Sequence, residues 1–265
     1  MTASTHPLAD AATMMRRSLR HALRFPAMTI GVVGTPIIML LLFVGVLGGT
    51  LDAGLGSTSK SGGYIGYVAP GIIVVTVASG CMATAVAVCV DTTEGIANRF
   101  RTMAISRACL LTGHVAGSVI QTMVSTALVI GVALLMGFRP TAGPVEWMAA
   151  IGLLALLTLA LTWLAVAIGL MSKTPTSASN TPLLIMFLPF IGSAFVPPGS
   201  MPAAVRWFAQ YQPFTPVIET IRGLLMGTPI GNGAMIALAW CMATALVGYL
   251  WAKALFARDP AHPAH

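Results

Sequence analysis

The chain has 265 residues, of which 57% are hydrophobic and 8% charged, and its mean hydropathy is +0.88. A soluble domain of average composition carries about 25% charged residues, so 14 basic and 7 acidic side chains cannot cover a water-facing surface, and an ordinary soluble fold is excluded. The formal charge of +7 does not point to nucleic acid, because the basic residues sit in short segments between apolar runs and form no continuous patch.

The first element expected is a helix over 8–24. On a helical wheel Leu8, Ala12, Met15, Leu19, Ala22 and Leu23 fall on one side, and Arg16, Arg17, Arg20 and Arg24 on the other. That is the pattern of a helix lying in the membrane interface with arginines facing anionic head groups; the alternative is a basic tail that merely sets topology. No removable signal peptide is expected, since no short apolar stretch ends in a small-residue cleavage site.

Six apolar segments then have the length needed to cross a hydrocarbon core, about 20 helical residues: 27–47, 65–90, 113–137, 147–171, 180–196 and 233–256. The fifth is short, follows Thr181-Pro182 and contains Pro189, which predicts a kink or partial re-entry. Arg16, Arg17, Arg20, Arg24, Arg99, Arg101, Arg107, Lys173, Lys253 and Arg258 fall on one side of this arrangement, and only Lys60, Arg139, Arg206 and Arg222 on the other. The positive-inside rule places the first group, with both termini, in the cytoplasm.

The outer segment 197–227 is the most structured loop. Ser200-Met201-Pro202 reads as a helix start with Ser as N-cap, Thr215-Pro216 repeats that signal, and Gly227 reads as a C-terminal stop. Ile218, Ile221 and Leu225 share a face, while Glu219 and Arg222 stand three apart. Two short helices dipping into the outer leaflet are expected.

Chemistry of its own is hard to find. The nearest match to a phosphate-cradling loop, Gly54 to Ser61, has Ser59 where the second glycine belongs and lies on the expected outer side. It reads as a flexible linker. The acids Asp52, Asp91, Glu94, Glu146, Glu219 and Asp259 fall at span ends or in loops, which counts against an ion-coupled transporter. His114 begins a span, and the other histidines lie in the tails or the interfacial segment. Cys81, Cys89, Cys109 and Cys241 form no CxxC pair, so neither a metal site nor a disulfide framework is expected. An energy source, if there is one, must come from another chain.

The segment 91–112 (DTTEGIANRFRTMAISRACLLT) is too long for a bare turn and too polar to span. Its pattern suits a short cytoplasmic helix presenting Ile96, Phe100 and Met103 to a partner groove with arginines around them. A solvated connector fits as well.

The stretch EGIANRFRTMAISR resembles the cytoplasmic coupling segment of type-2 ABC exporter permeases of the daunorubicin-resistance branch. Three further pieces match in order: Gly137-Phe138-Arg139; Ser193-Ala194-Phe195-Val196-Pro197 with Met201-Pro202; and Pro213-Phe214-Thr215 leading to Arg222-Gly223-Leu224-Leu225-Met226-Gly227. The chain departs from the family at Ala104, where proline often follows the Arg-Phe-Arg stretch. The resemblance implies one all-α transmembrane domain, 1–265: six transmembrane helices with the interfacial helix 8–24, the coupling segment 91–112 and an outer re-entrant helical hairpin, 197–227. It implies Glu94, Gly95, Arg99, Phe100 and Arg101 as contacts to an ABC ATPase present in two copies. Pro197, Met201, Pro202, Pro213, Glu219, Arg222 and Gly227 would shape the hairpin. It further implies a second permease subunit, surrounding lipids, a hydrophobic substrate moved out of a bacterial cell membrane, and ATP with magnesium on the partner, none on this chain. Met39, Phe43, Met123, Trp163 and Phe187 are apolar candidates to meet such a substrate, and Gly31, Gly34, Ala83 and Ala87 would permit close helix approach.

Overall fold

The computed structural model describes residues 26–50, 63–93 and 107–258. Every regular element among them is helical. Helix α1 (Pro26–Leu40) continues into a π-helical stretch, Leu41–Val46, closed by Leu47 N donating to Leu42 O at 3.1 Å. Then come α2 (Gly63–Thr93), α3 (Arg107–Leu135), α4 (Pro144–Met171), α5 (Pro175–Ile191), a 3-10 turn (Pro198–Ser200), α6 (Ala203–Tyr211), α7 (Phe214–Met226) and α8 (Gly233–Arg258).

Helices α2, α3, α4 and α8 each hold a stretch long and apolar enough to cross a membrane, which makes this a multi-pass membrane protein. Helix α5 has 17 residues, about 25 Å at 1.5 Å per residue, short of the roughly 30 Å core. It also begins and ends five residues earlier than the sequence pattern suggested. The start signal lies upstream: Thr174 is the N-cap, accepting from Ser177 N at 3.2 Å, and Pro175 fills the first turn. Pro182 and Pro189 both sit inside the helix, and Gly192 ends it.

Helix α2 is the hub, packed against α1, α3, α4, α5 and α7 and buried almost without interruption from Tyr64 to Cys81. A helix can be buried all round in a bilayer only if its polar groups are satisfied internally. Thr76, Ser79 and Thr84 meet this by donating to the carbonyls of Ile72, Val75 and Gly80 at 2.8, 2.9 and 2.9 Å. Thr126, Thr158 and Thr162 do likewise on the facing helices. The outward sides of α3 and α8 expose Val124, Leu128, Leu135, Met235, Met242, Leu246 and Leu250. In water this would be a sticky patch; against lipid tails it is an ordinary surface.

The N-terminus of α2, the C-terminus of α5 and helix α7 meet at one end of the bundle, here the hairpin end. At the other end α2 runs out at Thr93 towards residues 94–106, and α4 turns into α5 through Ser172–Thr174.

Candidate functional site

Helix α7 carries apolar residues at Phe214, Val217, Ile218, Ile221 and Leu225, the three-and-four spacing of one helical stripe. All five are buried, and the helix packs against α2, α4 and α8. Gly227 stops it in the left-handed conformation at φ 69°, its N–H bonding to Gly223 O at 2.9 Å. Arg222 stands at the edge of that stripe, so burying the stripe carries the guanidinium into the packed end of α2.

Its partners there are backbone oxygens. Arg222 Nε and Nη2 donate to Tyr67 O at 3.2 and 3.0 Å, and Nη2 donates also to Ser193 O at 2.7 Å. The guanidinium carbon lies 3.8 Å from the centroid of the Tyr67 ring, a cation–π contact. The Tyr67 hydroxyl donates to the same Ser193 O at 3.1 Å, and the Tyr64 hydroxyl, one turn earlier, to Phe195 O at 3.4 Å. Pro70 supplies no N–H, so the carbonyl it leaves without a helical donor is Gly66 O; Tyr67 O, one residue on, meets the guanidinium with a lone pair that the helical ladder does not use. Burial lowers the proton affinity of Arg222, while Tyr67 and Glu219 raise it; arginine's high intrinsic value keeps it charged. Glu219 is exposed and acts on Arg222 only electrostatically.

The reversal 192–196 between α5 and the 3-10 turn is thus held by side chains from two other helices. On its other flank Thr215 Oγ1 accepts from Ser193 N at 3.4 Å and from Gln212 Nε2 at 3.2 Å. A Cβ on Gly71 would come within 2.6 Å of Ala194 O, so α2 and the reversal touch backbone to backbone. Ser193 Oγ and Gln212 Oε1 are the buried side-chain atoms without a partner among the described residues. Each such atom costs roughly 1–3 kcal/mol, so the junction is closed against some resistance.

The hairpin residues singled out from the sequence fall as follows. Pro197 O accepts from Ser200 N and Oγ at 3.0 and 2.8 Å, and Met201 O accepts from Arg206 Nη2 at 3.0 Å. Pro202 caps α6 and Pro213 precedes α7. Two expected helix starts are displaced. Ser200 closes the 3-10 turn instead of capping α6, and Thr215 lies inside α7, its hydroxyl turned to the reversal. Glu94, Gly95, Arg99, Phe100, Arg101, Arg16, Arg17, Arg20 and Arg24 lie outside the described residues.

Of the apolar candidates, Met39, Phe43, Met123 and Trp163 are half-buried and Phe187 is exposed. Phe43 and Phe187 end a row of rings: Phe43–Phe195 at 4.5 Å, Phe195–Phe190 at 5.0 Å, Phe190–Phe187 at 6.1 Å between centroids. Met123 and Trp163 are elsewhere, against Thr158 and Tyr249. Sequence reasoning missed Tyr64, Tyr67 and Gln212; the available signal was two tyrosines three apart at a span start, with Pro70 three further on.

The ABC-2 type transporter family model matches residues 10–226. Over 217 residues, 82% of this chain and 75% of the relative, the sequence is 28% identical to the daunorubicin resistance ABC transporter permease protein DrrB1 of Streptomyces coeruleorubidus. Over 232 residues, 83% and 80% of the two chains, it is 23% identical to the probable doxorubicin resistance ABC transporter permease protein DrrC of Mycobacterium tuberculosis. The chain belongs to the ABC-2 type transporter family, as a membrane permease subunit of an ABC exporter. It works with an ABC ATPase on a separate subunit.

Proposed function

We propose that this permease moves hydrophobic or amphipathic molecules, drug-like compounds or lipids, out of the cytoplasm or inner leaflet of a bacterial cell membrane. Two copies of the ATPase drive it, and a second permease, identical or related, completes the path. ATP and magnesium belong to the partner; this chain holds no cofactor. Six spans put both termini in the cytoplasm: α1 and α5 join the four long helices, α1 widened by its π-helical stretch and α5 opening into the 192–196 reversal. The interfacial helix 8–24 lies on the inner surface, 91–112 is the handle that the ATPase grips through Glu94, Gly95, Arg99, Phe100 and Arg101, and 197–227 dips into the outer leaflet.

The observation that carries the substrate reading is the character of the spans. Among the described residues, Asp91, Glu146 and Lys253 lie towards helix ends and no charged side chain lies mid-span. An ion-coupled transporter needs such a group, because burying a charge costs roughly 2.5–3.5 kcal/mol on insertion scales and persists only for function. A path lined by aromatic and aliphatic groups fits apolar cargo, and the two relatives are named for resistance to daunorubicin and doxorubicin.

The test is reconstitution in vesicles with the partner ATPase and daunorubicin as probe. Accumulation should require hydrolysable ATP, and charge reversal at Arg99 and Arg101 should abolish it while leaving membrane insertion intact. Accumulation without the ATPase that collapses with the proton gradient would sink this reading.

A further inference from the structure

Helix α2 runs from one end of the bundle to the other. Its 31 residues run unbroken from Gly63 to Thr93, where the chain enters the segment assigned above to the ATPase. Its opposite end is bound to the 192–196 reversal. Along its length the hydroxyls facing neighbouring helices are satisfied within their own helices. Below the junction α2 makes two weak thiol contacts, Cys81 Sγ to Leu161 O and Cys89 Sγ to Ser172 O, both at 3.4 Å, and packs closely on α3 and α4, where a Cβ on Gly80 would meet Thr122 and one on Gly169 would come within 2.6 Å of Ala85 O. Contacts of this kind are weaker and less directional than hydrogen bonds from a charged donor.

The junction is the opposite case. Three directional bonds from Arg222, two tyrosine hydroxyls, a cation–π contact and a backbone approach at Gly71 fasten α2 to the reversal and to α7. A rigid helix fastened at its tip by charge-assisted bonds transmits displacement to what the tip holds. Lysine would place one ammonium where the guanidinium fork reaches two carbonyls at once.

We propose that Arg222 is a positioning residue, pinning the tip of α2 to the reversal between α5 and α6 so that movement of α2 by the ATPase opens or closes the hairpin end. This rests on the reading that the ATPase grips the chain beyond Thr93. It does not require Arg222 to touch cargo. The Tyr67 ring is the platform and Ser193 O the shared acceptor, so Tyr67 has two roles that substitution can separate.

The experiment uses the permease bound to its ATPase. Spin labels replace Val196, exposed on the reversal, and Val145, exposed at the hairpin end of α4. In the wild type, trapping ATP with vanadate should shift the distance between them. Arg222→Gln should retain the nucleotide-free distance and lose most of that shift, Arg222→Lys should recover part of it, and Tyr67→Phe, which keeps the ring and drops the hydroxyl, should give an intermediate loss. In parallel, daunorubicin transported per ATP consumed should fall by roughly tenfold in Arg222→Gln, within the usual range of coupling between sites.

A purely structural role would lower transport and ATP consumption together and leave their ratio intact; that result overturns the proposal. So does a wild-type distance that ignores nucleotide, or a full shift in both Arg222→Gln and Tyr67→Phe. If Arg222→Gln does not accumulate in the membrane, Tyr67→Phe decides alone, an unchanged shift there counting against the pin. A permease that forms no complex with the ATPase sinks the functional reading itself, which the binding step reports separately.

Discussion

Helices α6 and α7 are neighbours in sequence, similar in kind and opposite in fate. Both are short, and both carry an apolar and a polar face. In α7 the apolar face is core: Ile218 and Ile221 are fully buried and Leu225 nearly so. In α6 only Ala209 is buried, while Trp207, Phe208 and Tyr211 remain exposed at 66, 42 and 67%. The difference lies in what each face is made of. Aliphatic β-branched side chains interlock with neighbouring helices, whereas tryptophan and tyrosine have an apolar body and a polar tip that suit the boundary between lipid and water. An amphipathic pattern announces a face; the residues on it say whether protein or membrane will cover it.

The sharpest break of that comparison is truncation on the buried side. Ile221→Ala should cost about 2–5 kcal/mol through lost contacts and the cavity left behind. Denaturant unfolding in mild detergent, followed by circular dichroism, measures it. A change no larger than that of a surface substitution would mean that α7 is not packed as described.

A smaller effect is expected at the joint between the two helices. Thr215→Val keeps the side-chain shape but removes the acceptor for Ser193 N and Gln212 Nε2. Stranding buried donors should cost about 1–3 kcal/mol, and amide exchange at Ser193 should quicken against unchanged exchange in mid-α4. Unaltered exchange at Ser193 would show that the threonine hydroxyl does not hold the reversal.

Much of this architecture was legible in the sequence. The spans at 65–90, 147–171 and 233–256 fall within α2, α4 and α8, and 113–137 overruns the end of α3 by two residues, because a long apolar run in lipid has few alternatives to a helix. Gly227 was readable as a stop, since only glycine adopts φ 69° without strain. The fifth span was misplaced because prolines at 182 and 189 look like boundaries, yet neighbouring helices can satisfy the carbonyls they free. The junction was legible only in parts. Arg222 was visible as a charge three residues from Glu219 and off the face of Ile218, Ile221 and Leu225, but its acceptors are backbone oxygens, which carry no residue signature. Contacts at a separation of 155 residues, such as Arg222 to Tyr67, follow from the packing of α2 and not from any local pattern.

The smallest effect on stability tests the other half of the comparison. Trp207→Ala removes a ring that is two-thirds exposed and tilted against Tyr211 at 5.7 Å between centroids, so unfolding should shift by no more than about 0.5 kcal/mol. What should change is contact with lipid. In a variant with Trp147, Trp163, Trp240 and Trp251 replaced by Phe, the remaining Trp207 should be quenched best by a label near the head groups and weakly by one at the bilayer centre. Water-like emission with no quenching would mean that α6 stands clear of the membrane, and a strong stability loss would mean that a protein surface covers it. Either result would break the division between the two helices at α6, while leaving α7 and its arginine where they are.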